Sequence, residues 1–325
     1  SRNPNDLFLV SKYLIFCKEI IKDAQIYIPE FLENMIEKNL DCLDFIKCPD
    51  DQLPLFNGSS ENFFKQLDEY LITRTSKKKV ENIIGGLFKF KHKNHLVFFD
   101  VTQPPRKKFS KCYQSGPLSF EYFLDGVKVI SNSGFGNNIS KKAELISRLT
   151  ACQSTLTLND TSVSKFERNK LINKVFGNSI KDSFKIHNLN FNNEKNIISC
   201  SAEHNGYEKK FGCMHKREVF LDKENNYLKG SDYIFKKKDG IPIRYVFRFH
   251  INPKLTVVKT MSGNSALIQL SKNKSLIFTI SDETLEIEKS IFLGGKKILD
   301  SSCITISGNL VNKNKSFYWE IKKSI

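Results

Sequence analysis

Several features that would assign this sequence to a functional class are absent. No apolar run reaches the length of a membrane-spanning helix and no signal peptide opens the chain, so no membrane insertion is expected. The sequence contains no helix-turn-helix, RRM or zinc-finger pattern, so nucleic-acid binding is not predicted. No cofactor is expected, because Gly134-Phe-Gly136 lacks the third glycine of a dinucleotide fingerprint. The eight cysteines form no CxxC pair and no zinc spacing, which predicts free thiols at Cys17, Cys42, Cys48, Cys112, Cys152, Cys200, Cys213 and Cys303.

Positive charge, in contrast, is in excess. The 325 residues include 51 Lys and Arg against 35 Asp and Glu, which gives a formal net charge of +16. A surface of this sign attracts nucleic acid, an anionic membrane or an acidic polymer. The alternative is that most of the lysines are ordinary solvated residues, since runs of charge usually mark exposed faces. The 40% of hydrophobic residues and the 27 Phe predict a folded protein with a substantial core.

The first part of the chain has the apolar spacing of amphipathic helices. Pro4 suits the first turn of one helix, with Asn3 as its cap, and a second helix is predicted to begin near Pro29. A third is expected over residues 60–71. Three such helices without a closed core are typical of the end of a longer helical domain, and we therefore expect further coding sequence upstream.

Near residues 77–79 the apolar period changes from 3.6 to 2, which predicts a helical segment over 1–78 and a β domain over 79–325. Asp125-Gly126 predicts a two-residue hairpin turn, and one helix is expected near residues 164–174. The many short predicted strands, separated by Asn, Gly, Lys and Asp, indicate a large antiparallel sandwich. The predicted fold class is α+β and multidomain.

One ordered set of segments carries most of the functional information. It consists of Gly116-Pro-Leu-Ser-Phe-Glu121, Phe123-Leu-Asp-Gly-Val127, Arg148-Leu-Thr-Ala-Cys-Gln-Ser-Thr-Leu156, His204-Asn-Gly-Tyr207, Gly212-Cys-Met-His-Lys-Arg217 and Arg248-Phe-His250. In this order and spacing the set resembles the C-terminal part of bacterial heparinase II/III-like proteins, a polysaccharide-lyase family. The resemblance covers nearly the whole chain. It implies the C-terminal helices of an (α/α) toroid followed by a large antiparallel β-sandwich.

The resemblance further implies an acidic, uronic-acid-containing polysaccharide as partner and β-elimination as the reaction, in a cleft between toroid and sandwich. The reaction requires the carboxylate to be neutralised, the C5 proton removed and a proton given to the departing oxygen. Asn or Arg suits the first task, and Tyr or His the proton transfers. The family also implies the bacterial periplasm or cell envelope, whereas the eight cysteines would suit a reducing cytosol.

Several positions where the family carries catalytic or metal-binding side chains differ in this chain. Asn3, in Arg2-Asn3-Pro4, resembles the entry to a helix that lines the cleft, although a helix cap explains it equally well. Phe56 and Asn57 stand where lyases carry a catalytic Tyr, and Asn57 either binds a carboxylate or forms a turn. The family's metal ligands fall on amides, which bind zinc poorly, so no metal is expected at Gln114, Asn132 and Gln153. Gln114 is kept as a candidate for substrate binding.

Downstream segments supply a more complete set of candidates. Strand alternation places Arg248 with His250, and His215 with Arg217, on faces opposite apolar residues. We therefore expect a basic groove facing the helices, in which these side chains grip carboxylates or sulfates. The candidate catalytic residues are His204, Tyr207 and His215, and the candidate substrate-binding residues are Arg217, Arg248 and His250. For each of them the alternative is structural ion pairing.

Two functions are favoured by the sequence, and a third, nucleic-acid binding, rests on charge alone. The first is a lyase that cleaves an acidic polysaccharide by β-elimination. The second is a non-catalytic protein of the same fold that binds an acidic glycan or contributes to the cell envelope. The family resemblance, the excess of positive charge and the basic candidates support the first, and the replaced positions motivate the second. The sequence leaves the polysaccharide, the oligomeric state and the compartment open.

Overall fold

The computed structural model describes residues 1–61, 82–237, 241–311 and 314–324. These ranges contain two helices followed by two large antiparallel sheets, so the predicted fold class is confirmed. The predicted third helix and the boundary at residues 78 and 79 lie outside the described residues. Among the helices that are described, none is long and apolar enough to cross a membrane.

Two antiparallel helices form the N-terminal part. Helix α1 spans Pro4–Asp23, and the side-chain oxygen of Asn3 accepts a hydrogen bond from the backbone N–H of Asn5 at 3.0 Å, as predicted for a cap. Helix α2 spans Glu30–Ile46. Because the apolar positions recur every three or four residues, the helices share one core, formed by Phe8, Ile15, Leu32, Ile36, Leu40, Leu43, Phe45, Ile46 and Leu53.

Antiparallel strands make up most of the remaining described chain. They are β1 (Ile83–Ile84), β2 (Leu87–His92), β3 (His95–Asp100), β4 (Phe120–Leu124), β5 (Val127–Ser131), β6 (Leu156–Leu158), β7 (Ile186–Asn193), β8 (Ile197–His204), β9 (Cys213–Asp222), β10 (Tyr227–Lys236), β11 (Ile243–Ile251), β12 (Thr256–Lys259), β13 (Ser265–Ser271), β14 (Lys274–Ile280), β15 (Glu286–Phe292), β16 (Leu299–Leu310) and β17 (Asn314–Lys323). A nine-stranded sheet has the order β1-β2-β3-β4-β5-β11-β16-β15, with β6 paired to β11. An eight-stranded sheet has the order β12-β13-β14-β17-β10-β9-β8-β7.

Three short helices interrupt the β part: α3 (Lys141–Ser147), α4 (Lys170–Phe176) and α5 (Glu208–Phe211). The helix expected near residues 164–174 therefore begins later, at Lys170. The side chain of Asn169 accepts the backbone N–H of Leu171 at 2.9 Å and caps the helix at that point. Helix α3 was not predicted from the sequence.

The main core lies between the two sheets and is strongly aromatic. Trp319 of β17 stacks on Phe120 of β4, with ring centroids 5.3 Å apart. Phe249 of β11 packs against Phe278 of β14 at 4.9 Å. Each pair joins one sheet to the other, as expected when inward-facing side chains of two sheets interdigitate.

The opposite face of the nine-stranded sheet packs against the N-terminal part. Leu87, Leu96, Phe98 and Phe123 form a second apolar layer there with Cys48 and Phe56. A buried ion pair lies within this layer, since Lys128 Nζ is 3.1 Å from Glu121 Oε2. The same carboxylate oxygen accepts the backbone N–H of Leu55 at 3.2 Å and so fixes the loop that follows α2. This junction places Asn57 and its neighbours directly against the sandwich.

Candidate functional site

Four of the predicted site residues lie inside the sandwich rather than on its outer face. His204, Tyr207, His215 and Arg217 are 0–1% exposed. Along β9 the inward positions are occupied by Cys213, His215, Arg217, Val219 and Leu221. The expectation that His215 and Arg217 face a groove is therefore wrong, because the inward side of this strand combines charged with apolar residues.

These side chains form a hydrogen-bonded network around the carboxylate of Asp232. His215 Nε2 lies 2.7 Å from Asp232 Oδ1, and the guanidinium of Arg217 reaches both carboxylate oxygens, at 2.8 and 3.1 Å. Trp319 Nε1 donates to Oδ2 at 2.9 Å. Burial raises the pKa of Asp232, but Arg217 and His215 outweigh it and hold the pKa below its usual value. The network neutralises a charge that the core would otherwise exclude.

Arg217 also connects the two sheets. Its Nη1 donates to the carbonyl oxygens of Leu118 at 2.9 Å and of Ser154 at 2.7 Å, just before β4 and β6 of the nine-stranded sheet. Leu118 has a φ of +57°, an uncommon conformation for leucine, and this bond holds its carbonyl in place. Arg217 thus has the contacts of an inter-sheet clamp and not those of a substrate-binding side chain.

His204 and Tyr207 are held in a similar way. His204 Nε2 lies 3.3 Å from His215 Nδ1, and its Nδ1 accepts the backbone N–H of Gly206 at 3.1 Å. Tyr207 donates towards the carbonyl oxygens of Leu156 at 2.9 Å and Thr161 at 3.2 Å. Burial lowers the pKa of both histidines and raises the pKa of Tyr207. A polysaccharide at the surface cannot reach these side chains.

The candidates at the junction between helices and sandwich are buried amides. Asn57, with a φ of +52°, is 1% exposed and is buried beside Asp100, whose pKa is raised by burial and lowered in part by a hydrogen bond from Asn57, whereas Asn3 is occupied as the cap of α1. Gln114 Nε2 donates to the carbonyl oxygens of Gly134 at 3.0 Å and Ser147 at 2.9 Å, and its Oε1 accepts from Gly58 N at 3.0 Å.

At the two other positions that the resemblance implies as metal ligands, the side chains also form hydrogen bonds with the backbone. Gln153 Nε2 donates to Ser147 O at 2.9 Å, and Asn132 Oδ1 accepts the backbone N–H of Ser154 at 2.9 Å. Within the described ranges, no group of three His, Cys, Asp or Glu side chains could hold a metal ion. Neutral amides already bonded to the backbone do not fit a metal, and these residues hold the loops together instead.

A pair that the sequence reasoning did not select lies beside Asn3. The guanidinium of Arg2 contacts Asp100 Oδ1, and it also donates to Gly85 O at 2.8 Å. Burial raises the pKa of Asp100, while Arg2 opposes that rise. The pair fastens the start of α1 to the end of β3. Arg2 belongs to a segment that the sequence analysis considered, but its partner Asp100 is 98 residues away in the sequence, so the pair could not be predicted.

Arg248 and His250 are the two predicted site residues that the structure brings together at an open cavity. The cavity has a volume of about 310 Å³ on the outer face of β11, β15 and β16. Its other polar lining residues include Ser133, Glu288, Lys289, Ser290 and Asp300. We call it the Arg248 cavity.

His250 is bonded at both ring nitrogens. Its Nε2 lies 2.9 Å from the carbonyl oxygen of Ala151, which only accepts, so this nitrogen carries the proton. Its Nδ1 lies 3.0 Å from Ser290 Oγ and accepts that hydroxyl. Burial lowers the pKa of His250 to about 4, so the ring is neutral near pH 7. Ser290 therefore has an imidazole that can receive its proton, an arrangement suited to proton transfer.

Together with Lys289, and beside the carboxylates of Glu288 and Asp300, Arg248 supplies positive charge to this cavity. Its Nη1 donates to Thr157 Oγ1 at 2.6 Å, and it makes no ion pair with any described carboxylate. A half-buried guanidinium without a carboxylate partner can bind a carboxylate or sulfate through two parallel hydrogen bonds. Ser290 and Thr157 were not selected from the sequence, because isolated hydroxyls on strands carry no signal of their own.

Comparisons with known proteins agree with this fold. A family model described as "Heparinase II/III-like, C-terminal" matches residues 83–320. A crystal structure of the heparan sulfate lyase from Pedobacter heparinus matches with a TM-score of 0.74 at 16% identity, covering 99% of this chain and 52% of that chain. A structure titled "Crystal Structure of Heparinase III" gives a TM-score of 0.73 at 13% identity, covering 99% of this chain and 53% of that chain. The chain therefore spans about half the length of these structures, and at such identities they show the fold alone. No curated protein sequence matches the chain.

Proposed function

Because the chain belongs to the heparinase II/III-like family, we propose that it binds an acidic polysaccharide at the Arg248 cavity and cleaves it by β-elimination. The observation that carries this proposal is an Arg without a described carboxylate partner, next to a neutral His–Ser pair, in an open cavity. Arg248 would neutralise the uronate carboxylate. Heparan sulfate, the substrate named for one structural neighbour, is a polymer of this class.

The proton transfers would use Ser290 and His250. Ser290 Oγ would take the C5 proton of the uronate while it passes its own proton to His250 Nδ1. The C4–O bond then breaks as a C4=C5 double bond forms, and the departing oxygen takes the proton of the imidazolium, directly or through water, which returns His250 to its neutral form. The carbonyl of Ala151 holds the imidazole ring in the orientation that this transfer requires.

A turnover assay tests the proposal with the full-length protein. A panel of uronic-acid polymers is incubated and the ultraviolet absorbance of the unsaturated product is followed. Arg248→Ala should weaken binding of the active polymer by about 1.5–3 kcal/mol if it loses a charge-assisted hydrogen bond. Ser290→Ala should reduce kcat more than it changes KM. Arg106→Ala, which removes an exposed arginine outside this cavity, is the matched control. Absence of binding to every uronate polymer would refute the proposal.

A second candidate, a non-catalytic glycan-binding protein, is favoured by two observations. The junction presents buried amides where the family's catalytic and metal-binding side chains are implied, and His250, with a pKa of about 4, is a weak base. Binding of an acidic polymer that depends on Arg248, with no unsaturated product, would select this second function.

A further inference from the structure

A second, larger cavity lies beside the Arg248 cavity. Its volume is about 610 Å³, and it opens between the loop after β6 and the segment before α4. Four cationic side chains line it: Lys165, Arg168, Lys181 and Lys210. We call it the four-cation cavity. Among the described residues that line this cavity, Asp160 carries the only carboxylate, and that carboxylate is paired with Arg244 at 2.7 Å.

The cations of this cavity are incompletely compensated. Lys181 pairs with Glu167 at 3.2 Å, and Lys210 donates to the hydroxyl of Thr161 at 2.8 Å. Lys165 and Arg168 make no ion pair within the part of the chain that the structure describes. The cavity therefore holds an excess of positive charge on a concave surface, which attracts an anion.

A buried cation behind the cavity wall adds to this charge. Arg148 is 0% exposed, and its guanidinium stacks on Phe166, a lining residue, at 4.1 Å from the ring centroid. It donates to the carbonyl oxygens of Tyr113 at 2.9 Å and Ser110 at 3.0 Å, and its Nη1 has no described hydrogen-bond partner. The hydroxyl of Ser164, also in the lining and 2% exposed, is likewise unpartnered. Arg148 therefore adds positive potential from behind Phe166, and Ser164 has a hydroxyl that no described residue binds.

The two cavities are adjoining. Ala151 lines both of them, and Thr157, which lines the four-cation cavity, accepts the hydrogen bond of Arg248. Arg248 therefore lies between them, in contact with residues of both cavities.

We propose that the four-cation cavity is a second subsite for an acidic saccharide, which receives a charged group further along the same polymer. This inference rests on the function proposed above and extends it. A ligand that fills both cavities must carry anionic groups on more than one of its sugars, which defines it as an acidic oligosaccharide or polysaccharide and not a singly charged sugar. Lys165 and Arg168 are the positions most available to its carboxylates or sulfates.

The test is a binding titration with acidic oligosaccharides of increasing length. Wild type is compared with the double variant Lys165→Gln/Arg168→Gln and with the control Lys195→Gln/Lys272→Gln, which removes the same charge from exposed positions outside the cavity. Disaccharide affinity should be equal in all three proteins. Hexasaccharide affinity should rise over that of the disaccharide in wild type and control, and should fall about tenfold or more in the cavity variant.

The outcomes separate the two proposals. If wild type binds no acidic oligosaccharide of any length, the proposed function fails and the subsite falls with it. If wild type binds but affinity does not depend on length, or if the control loses as much as the cavity variant, only the subsite is overturned. Sulfated and uronate-only hexasaccharides are titrated in parallel, and the one that loses more in the cavity variant identifies the charged group held there.

Discussion

Removal of the buried guanidinium of Arg217 should destabilise the protein severely. Arg217→Met leaves Asp232 without its main charge partner and leaves the carbonyl oxygens of Leu118 and Ser154 without their donor. Removing one partner of a buried ion pair costs about 3–5 kcal/mol, because the remaining charge stays desolvated. We therefore expect a loss of that size in the free energy of unfolding, which is a large part of the total stability of a domain.

Urea unfolding followed by far-ultraviolet circular dichroism measures this loss. The matched control is Lys216→Met on the same strand, whose ion pair with Glu218 at 2.9 Å is partly exposed and should contribute less than about 1 kcal/mol. Arg217→Lys, which keeps the positive charge but loses the guanidinium's paired hydrogen bonds, is the milder variant if Arg217→Met does not fold. The double variant Arg217→Met/Asp232→Leu should lose less than the sum of its single variants, since no charge is then left buried. Equal losses of unfolding free energy in Arg217→Met and Lys216→Met would refute the role of Arg217 as an inter-sheet clamp.

Two further predictions concern pH and metal content. His250 is neutral in the folded state, with a pKa lowered to about 4, and is protonated in the unfolded chain below pH of about 6.5, so its contribution to stability is complete above that pH and decreases towards pH 4. Between pH 7 and pH 5 the loss should be about 2 kcal/mol, and His250→Gln should reduce this dependence; an equal dependence in both proteins would contradict the assignment. Purified protein should contain no stoichiometric zinc by elemental analysis, because Gln114, Asn132 and Gln153 are bonded to the backbone; one zinc per chain that is lost on substituting these amides would contradict this reading.

The sequence determined the local structure with good accuracy. Pro4 and Asn3 began a helix where the cap and first-turn rules require it. Asp125-Gly126 formed the expected tight hairpin, with φ of +52° and +82° and with Leu124 paired to Val127. These features depend on residues that are adjacent in the sequence. The local sequence is therefore sufficient to predict them. Order and spacing of short segments likewise sufficed to identify the family.

Tertiary structure alone decided which charged residues are accessible. Alternation correctly grouped Arg248 with His250, and His215 with Arg217, because the side chains of a strand always point to two sides. It could not decide which side is inward on β9, where the inward positions combine charged and apolar residues. Arg217 can face inward because it forms an ion pair with Asp232, which lies 15 residues away in the sequence. Asp232 is in turn held by a hydrogen bond from Trp319, a further 87 residues away. Only the fold, which brings distant partners into contact, determines whether such a charge is buried or free to meet a ligand.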